Sequence, residues 1–244
     1  MLLLPPPCLC KYYTDITWWK YSTILLTLYR IFSFASAILS LLASQVPRTN
    51  TASANPLWTD SGGQRTEFFT NDLKAEYRMR ATIKADPALH DPPYHWHKYQ
   101  METIFVHSDT MRANLEGSDQ IVHPGQSVTV EPGLRHLFVN DSDKEPLDVS
   151  IGLDRNMRDR DEAFFRNLFS YQEDCQKHGK PQNVTQLLLF PYFFNCYPGL
   201  SGPKFLTQPI SQALTFVIGV VVGKWLLGFQ GSYPEYYTTS AVGN

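Results

Sequence analysis

Apolar and polar side chains alternate with period two through the middle of the chain. In "AEYRMRATIKA" (residues 75–85), Tyr77, Met79, Ala81 and Ile83 alternate with Arg78, Arg80, Thr82 and Lys84. That is the pattern of a strand with one buried face. Shorter strand candidates follow at Glu102–Val106, Met111–Leu115, Gln120–His123, Ser127–Val130, His136–Val139 and Leu147–Leu153. Gly117-Ser-Asp, Pro124-Gly125, Pro132-Gly133 and Asp141-Ser-Asp punctuate them. Many short strands separated by turn signals predict an antiparallel sandwich or barrel.

After Asp154 the period changes. "DRDEAFFRNLFSYQEDCQKHG" opens with acidic residues, sets Phe164, Phe165, Leu168 and Phe169 on one face and meets Gly179, which predicts an amphipathic helix with start and stop signals. "NVTQLLLF" reads as a second helix, capped by Asn183 and halted by Pro191. Within residues 205–229, "ALTFVIGVVVGKWLLGF" has an apolar run of only eleven residues before Lys224. This is short for a membrane span, and a helix packed on the barrel or lying at a membrane surface is expected instead.

Residues 1–50 follow neither pattern. Ile24–Ala43 is twenty residues with Arg30 as its single charge, just long enough to cross a hydrocarbon core. A charge at that depth costs about 2.5–3.5 kcal/mol, part of it relieved by snorkelling. Three readings stay open: a membrane-inserted segment, a signal-type apolar stretch that begins unusually far from Met1, and a mis-assigned start, since no Met stands between Met1 and Met79. The chain thus divides into a hydrophobic leader (1–50), a polar linker (51–60, overlapping the turn-rich "PRTNTASANP" of residues 47–56), a β-barrel (61–154) and a helical C-terminal extension (155–244).

Composition narrows the function. With 43 % hydrophobic and 14 % aromatic residues, 244 residues can build a sizeable core. A net charge of −2 with scattered basic residues gives no footprint for nucleic acid. Cys8, Cys10, Cys175 and Cys196 are too few and too dispersed for a disulfide framework.

The candidate chemistry lies in "DPPYHWHKYQMETIFVH", residues 91–107. On a strand, residues i and i+2 share a face, so His95 and His97 project together. Glu102 leads the next alternation with Ile104 and Val106, and His136 shares a face with Phe138 directly after the Pro132-Gly133 turn. Returning strands of a barrel can bring three imidazoles and one carboxylate to a point. Such a donor set suits Fe(II), Mn(II), Ni, Cu or Zn. His90, His107, His123 and His178 have no spacing partner and read as surface or strand residues. Asn140 reads as a turn organiser and Arg112 as part of a solvated strand face. Tyr94, Trp96 and Phe105 are expected to pack outward or into the general core, and Phe138 to face inward.

His95-x-His97-x4-Glu102, followed by Gly125 and by Pro132-Gly133-x-x-His136-x3-Asn140, resembles the paired motifs of the cupin superfamily, the small jelly-roll barrels. Two turn positions depart from the family pattern. Asp109 stands where a glycine usually closes the first motif, and Glu131 where a proline usually precedes the second motif's glycine. The resemblance covers roughly residues 60–154. More loosely, "SYQEDCQKHG" and "GSYPEY" are similar to stand-alone cupins of fungal secondary-metabolite pathways. The resemblance implies a jelly-roll barrel and a divalent transition metal, Fe(II) first, held by His95, His97, Glu102 and His136. It implies dioxygenase or oxidase chemistry on a small apolar metabolite such as a polyketide. An isomerase or cyclase on the same metal, with Glu102 as catalytic base, is the alternative, and a non-catalytic binding barrel is a third reading. The partners expected are a small-molecule substrate, a second copy in a homodimer and, through residues 24–43, a membrane. The expected location is membrane-associated or cytoplasmic.

Overall fold

A computed structural model describes residues 23–34, 45–59, 63–69, 72, 75–85, 93–153 and 158–238. His90, Cys8, Cys10 and the second half of the apolar leader fall outside them. Helix α1 (Thr23–Phe34) belongs to a compact unit separate from the body of the protein and exposes its apolar side chains.

Within the body, eleven strands are described: β1 (Leu57–Thr59), β2 (Gln64–Phe68), β3 (Met79–Ile83), β4 (His95–His97), β5 (Glu102–Ser108), β6 (Met111–Leu115), β7 (Ser118–Val122), β8 (Ser127–Val130), β9 (His136–Asn140), β10 (Leu147–Leu153) and β11 (Cys196–Pro198). Their pairing is nested about one hairpin. β6 pairs with β7, β5 with β8, β4 with β9 and β3 with β10, all antiparallel. This is a long hairpin wound over into a jelly roll. It yields two sheets, ordered β1-β2-β3-β10-β5-β8 and β11-β4-β9-β6-β7.

Alternation along each strand places the core between the sheets. In β5, Glu102, Ile104 and Val106 are buried, while Thr103 and Phe105 are half-buried. In β9, His136, Phe138 and Asn140 face in. The apolar members join Met79, Ala81, Met111, Ala113, Leu147, Val149 and Ile151 in one core. Each fully buried aliphatic side chain there contributes about 1.5–3 kcal/mol. The candidate ligands therefore sit on the same inward face as the core, at one end of it.

The turns carry conformations the sequence disguises. Asp109, where a glycine was expected, has φ +62°. Its carboxylate accepts a hydrogen bond from the backbone N–H of Thr110 at 2.7 Å, and Asp is among the few residues that tolerate this left-handed region. Gly133, at φ +80°, donates its N–H to the carbonyl of His97 at 2.8 Å. The second motif's turn is thereby tied to the first motif's strand.

Helix α2 (Arg158–Lys177) lays Phe165, Leu168 and Phe169 against the barrel core. Helix α3 (Val184–Phe194) begins as expected, with the Asn183 side chain accepting from Thr185 N–H. It does not stop at Pro191 but continues to Phe194 and ends at Asn195 in the left-handed region. A helix-interior proline costs about 3 kcal/mol. Burial of Leu189, Phe190 and Phe194 on either side of it outweighs that. β11, from the region expected to be wholly helical, then adds a strand to the second sheet beside β4.

Helix α4 (Lys204–Thr215) runs into a segment of wider, π-type turns (Phe216–Leu226). Together they make one 23-residue helix long and apolar enough to cross a membrane by length and composition. One face packs on the body. Gly219 and Gly223 lie so close to α3 that an added Cβ would stand 3.0–3.1 Å from backbone atoms of Leu188, Leu189 and Thr185. The polar segment before β1 is tied down too. Asp174 accepts from the Thr49 N–H, the Thr49 hydroxyl and the Tyr236 hydroxyl, and Val46 packs with Tyr171, Cys175, Phe190 and Tyr236.

Candidate metal centre

β4 places His95 and His97 on one face, and its pairing with β9 sets His95 directly opposite His136. β5 brings Glu102 in as its first residue. The four side chains converge: one ligand atom from each lies within 4.8 Å of all the others. All four are buried, His136 to 1 % exposure and Glu102 to 3 %. Nε2 of His95 is 3.2 Å from Nε2 of His97. Nε2 of His136 is 2.8 Å and Nε2 of His97 3.6 Å from Oε2 of Glu102.

The backbone fixes which nitrogen faces the centre. His95 Nδ1–H donates to the carbonyl of Pro93 at 2.8 Å, and His136 Nδ1–H to that of Leu134 at 3.0 Å. Each neutral ring therefore presents a bare Nε2 lone pair inward, the arrangement that carbonyl partners impose on metal-binding histidines. His97 has no such anchor: its Nδ1 is buried without a hydrogen-bond partner among the described residues. The edge contact with the Phe194 ring, centroids 5.5 Å apart, orients it instead.

This geometry tests the fit to a cation. Lone pairs on His95 and His136 point at a second imidazole nitrogen and a carboxylate oxygen, acceptors that repel unless a proton or a cation sits between them. The electrostatics agree. Burial, with His136 and His97 beside it, holds His95 well below the ordinary histidine range, in its neutral form. Burial opposes the ionised form of Glu102, yet hydrogen bonds to His136 and His97 hold its carboxyl well below the usual range. Burial likewise lowers His136, but Glu102 outweighs it and raises the imidazole. Three nitrogens and one charged oxygen at this spacing fit a divalent metal.

The cluster opens on a cavity of about 400 Å³, within the size range of small-molecule sites. Its wall comes from Met79, Ala81, Ile83, Phe138 and Ile151 of the barrel and from α2 and α3, including Phe164, Phe165, Phe169 and Leu187. Phe138 faces inward as expected. Tyr94, expected to pack outward or into the general core, lines the cavity, its ring lying beside Gly199. Cys196, which no spacing singled out, also lines it and pairs across the sheet with His97. Trp96 faces away and packs on Tyr197, ring centroids 5.1 Å apart. Arg112 is ion-paired with Asp141 at 3.2 Å, outside the cavity lining. Asn140 accepts from Ser142 N–H and donates to the Glu145 carbonyl, holding the β9–β10 turn. Cys175 and Cys196 are free thiols, and His107, His123 and His178 stand apart from the cluster.

Comparison with known proteins agrees with this architecture. Residues 83–151 match the family model for the cupin domain. Over 209 residues the chain is 28 % identical to virH of Hypocrea virens, named as a probable oxidoreductase, covering 80 % of this chain and 92 % of that protein. It is 24 % identical over 210 residues to yanE of Aspergillus niger, also named as a probable oxidoreductase, covering 79 % and 80 %. Among solved structures it is similar to a sugar phosphate isomerase of the cupin superfamily from Silicibacter pomeroyi. That likeness has 16 % identity and a TM-score of 0.34, over 46 % of this chain and 73 % of that one.

Proposed function

We propose that this chain, which carries a cupin domain over residues 83–151, is a metal-dependent oxidoreductase acting on a small apolar metabolite of a secondary, polyketide-type pathway. One observation carries the reading: a buried cluster of three histidines and a glutamate opens directly onto an apolar cavity. The oxidoreductase names of its fungal relatives support it.

His95, His97, Glu102 and His136 would hold the metal, and Fe(II) at such a centre would supply redox chemistry with dioxygen. The rest falls to the chain. The carbonyls of Pro93 and Leu134 keep His95 and His136 in the tautomer that leaves Nε2 free. Phe138, Phe164, Phe165 and Phe169 exclude water and bind the substrate by apolar contact, so that every charge inside acts at low dielectric. Glu102, within 2.8 Å of His136 Nε2, can take or return a proton there. That proximity also favours a second reading, an isomerase or cyclase in which Glu102 is the base.

The test is reconstitution of the purified chain with Fe(II), Mn(II) or Zn(II) under argon, then oxygen uptake with a panel of aromatic polyketides. Substrate-dependent oxygen uptake with Fe(II) alone is expected. Turnover with Zn(II) and no oxygen uptake would transfer the assignment to the isomerase reading. A chain that retains no metal would overturn both.

A further inference from the structure

One side chain in the cavity wall breaks its chemistry. On α2, Phe165, Leu168, Phe169 and Gln172 follow each other at spacings of three and four, a single helical stripe, and all four line the cavity. The first three are apolar, and the fourth position carries a carboxamide. Gln172 is half-buried, lines the cavity and makes no hydrogen bond to any described residue, which leaves its carboxamide available to a ligand.

Two other polar side chains of the wall have partners of their own. The Tyr94 hydroxyl is drawn to the β6–β7 turn, where it meets the Gly117 backbone, Glu116 and Arg135. Gln64 Nε2 shares with the Thr66 hydroxyl at 3.4 Å. Tyr197, also in the wall, lies opposite Trp96 in the strand register with its ring tilted against the indole. Apart from Glu102 and the histidines, no charged side chain among the described residues lines the cavity.

We infer that Gln172 is the substrate-orienting residue, and that the substrate is a ring-bearing molecule with a hydroxyl or carbonyl at one end. That group meets the Gln172 carboxamide while the aromatic wall takes the rings. The inference rests on the reading of the cavity as the substrate site. An unpaired amide in an apolar wall selects strongly for a partner that pairs with it, because an apolar analogue leaves it desolvated and unmatched.

The test compares two probes of one shape, 2-naphthol and 2-methylnaphthalene, binding to the full chain as purified, followed by tyrosine and tryptophan fluorescence. In the native protein 2-naphthol should bind about three- to tenfold more tightly, the worth of one neutral hydrogen bond. In Gln172→Leu, of similar volume, 2-naphthol should lose that advantage while 2-methylnaphthalene binds as well or better. A merely structural role would weaken both probes together. Equal binding of the probes by the native chain, or a naphthol preference that survives in Gln172→Leu, would overturn the inference. Should Gln172→Leu not fold, Gln172→Asn, which withdraws the carboxamide by one methylene, should narrow the preference, and an unchanged preference would overturn it equally. Metal content of the same preparations is measured alongside. Its absence would sink the oxidoreductase reading while leaving the probe comparison intact.

Discussion

Substitution of His136 by alanine separates the two jobs the cluster performs. With metal bound, one of four donors is lost. Four-ligand zinc sites are held with roughly 10–16 kcal/mol, so one ligand is worth about 2.5–4 kcal/mol, or about 10²- to 10³-fold in affinity. Without metal, the same change removes the 2.8 Å partner of a carboxylate that is 3 % exposed, leaving His97 at 3.6 Å. Breaking a buried pair on one side costs about 3–5 kcal/mol. The lower end is expected here, because Glu102 can take up a proton. Replacing both partners, His136→Ala with Glu102→Leu, should return most of the metal-free stability and none of the metal affinity. Chelator competition measures the first quantity and urea unfolding in EDTA the second. His123→Ala, at an exposed position remote from the cluster, is the control. A His136→Ala protein that holds metal as tightly as this control would refute the convergence argument.

Three further outcomes follow from the same contacts. Metal-free protein should be most stable near pH 6.5, the ordinary histidine value. Towards acid, His95, whose folded pKa is lowered, and Glu102, likewise lowered, lose their contributions. Towards alkali, stability falls as pH rises from 6.5 through the raised value of His136. Thermal melts in EDTA across pH 4–9 should show this maximum, and His136→Ala should flatten its alkaline side while also weakening the acid side, since His136 helps hold Glu102 and His95 low; an unchanged alkaline limb would refute the assignment. Asp174→Ala strands the Thr49 and Tyr236 donors and should cost about 2–3 kcal/mol, read as a shifted urea midpoint, with little change in metal content. Gly219→Val drives a side chain into the α3 backbone, where even a Cβ stands at 3.0 Å. It should cost about 1–3 kcal/mol and, because α3 forms part of the cavity wall, also weaken binding of 2-naphthol.

The barrel was legible because alternation reports the one thing that strands of a two-sheet sandwich share, an inward face. Met111–Leu115, Ser127–Val130 and Leu147–Leu153 appear with the bounds the pattern set. β1, β2 and β11 did not announce themselves. Three residues such as Cys196-Tyr197-Pro198 are too few to show a period, and in β2 only Thr66 and Phe68 are buried. The four converging side chains were readable because i and i+2 share a face on any strand, and two motifs supplied the pair and the return. Helix α2 declared its apolar stripe but not what it would meet. A stripe says that a face is covered, and tertiary structure decides whether the cover is core or cavity. For the same reason Tyr94 and Cys196 were missed. Each reaches the wall through the path of its backbone, which no local spacing encodes.

The nested strand order also sets a timetable. Of the four nested pairings, only β6 with β7 is closed by a tight turn; every later one, from β5 with β8 outward to β3 with β10, must close a longer loop. Closure therefore runs outward like a zip from one end, slowly, as contacts distant in sequence demand. His95 and His136 meet in the third of those four pairings, so the nascent chain has no place for an ion until most of the barrel has already closed.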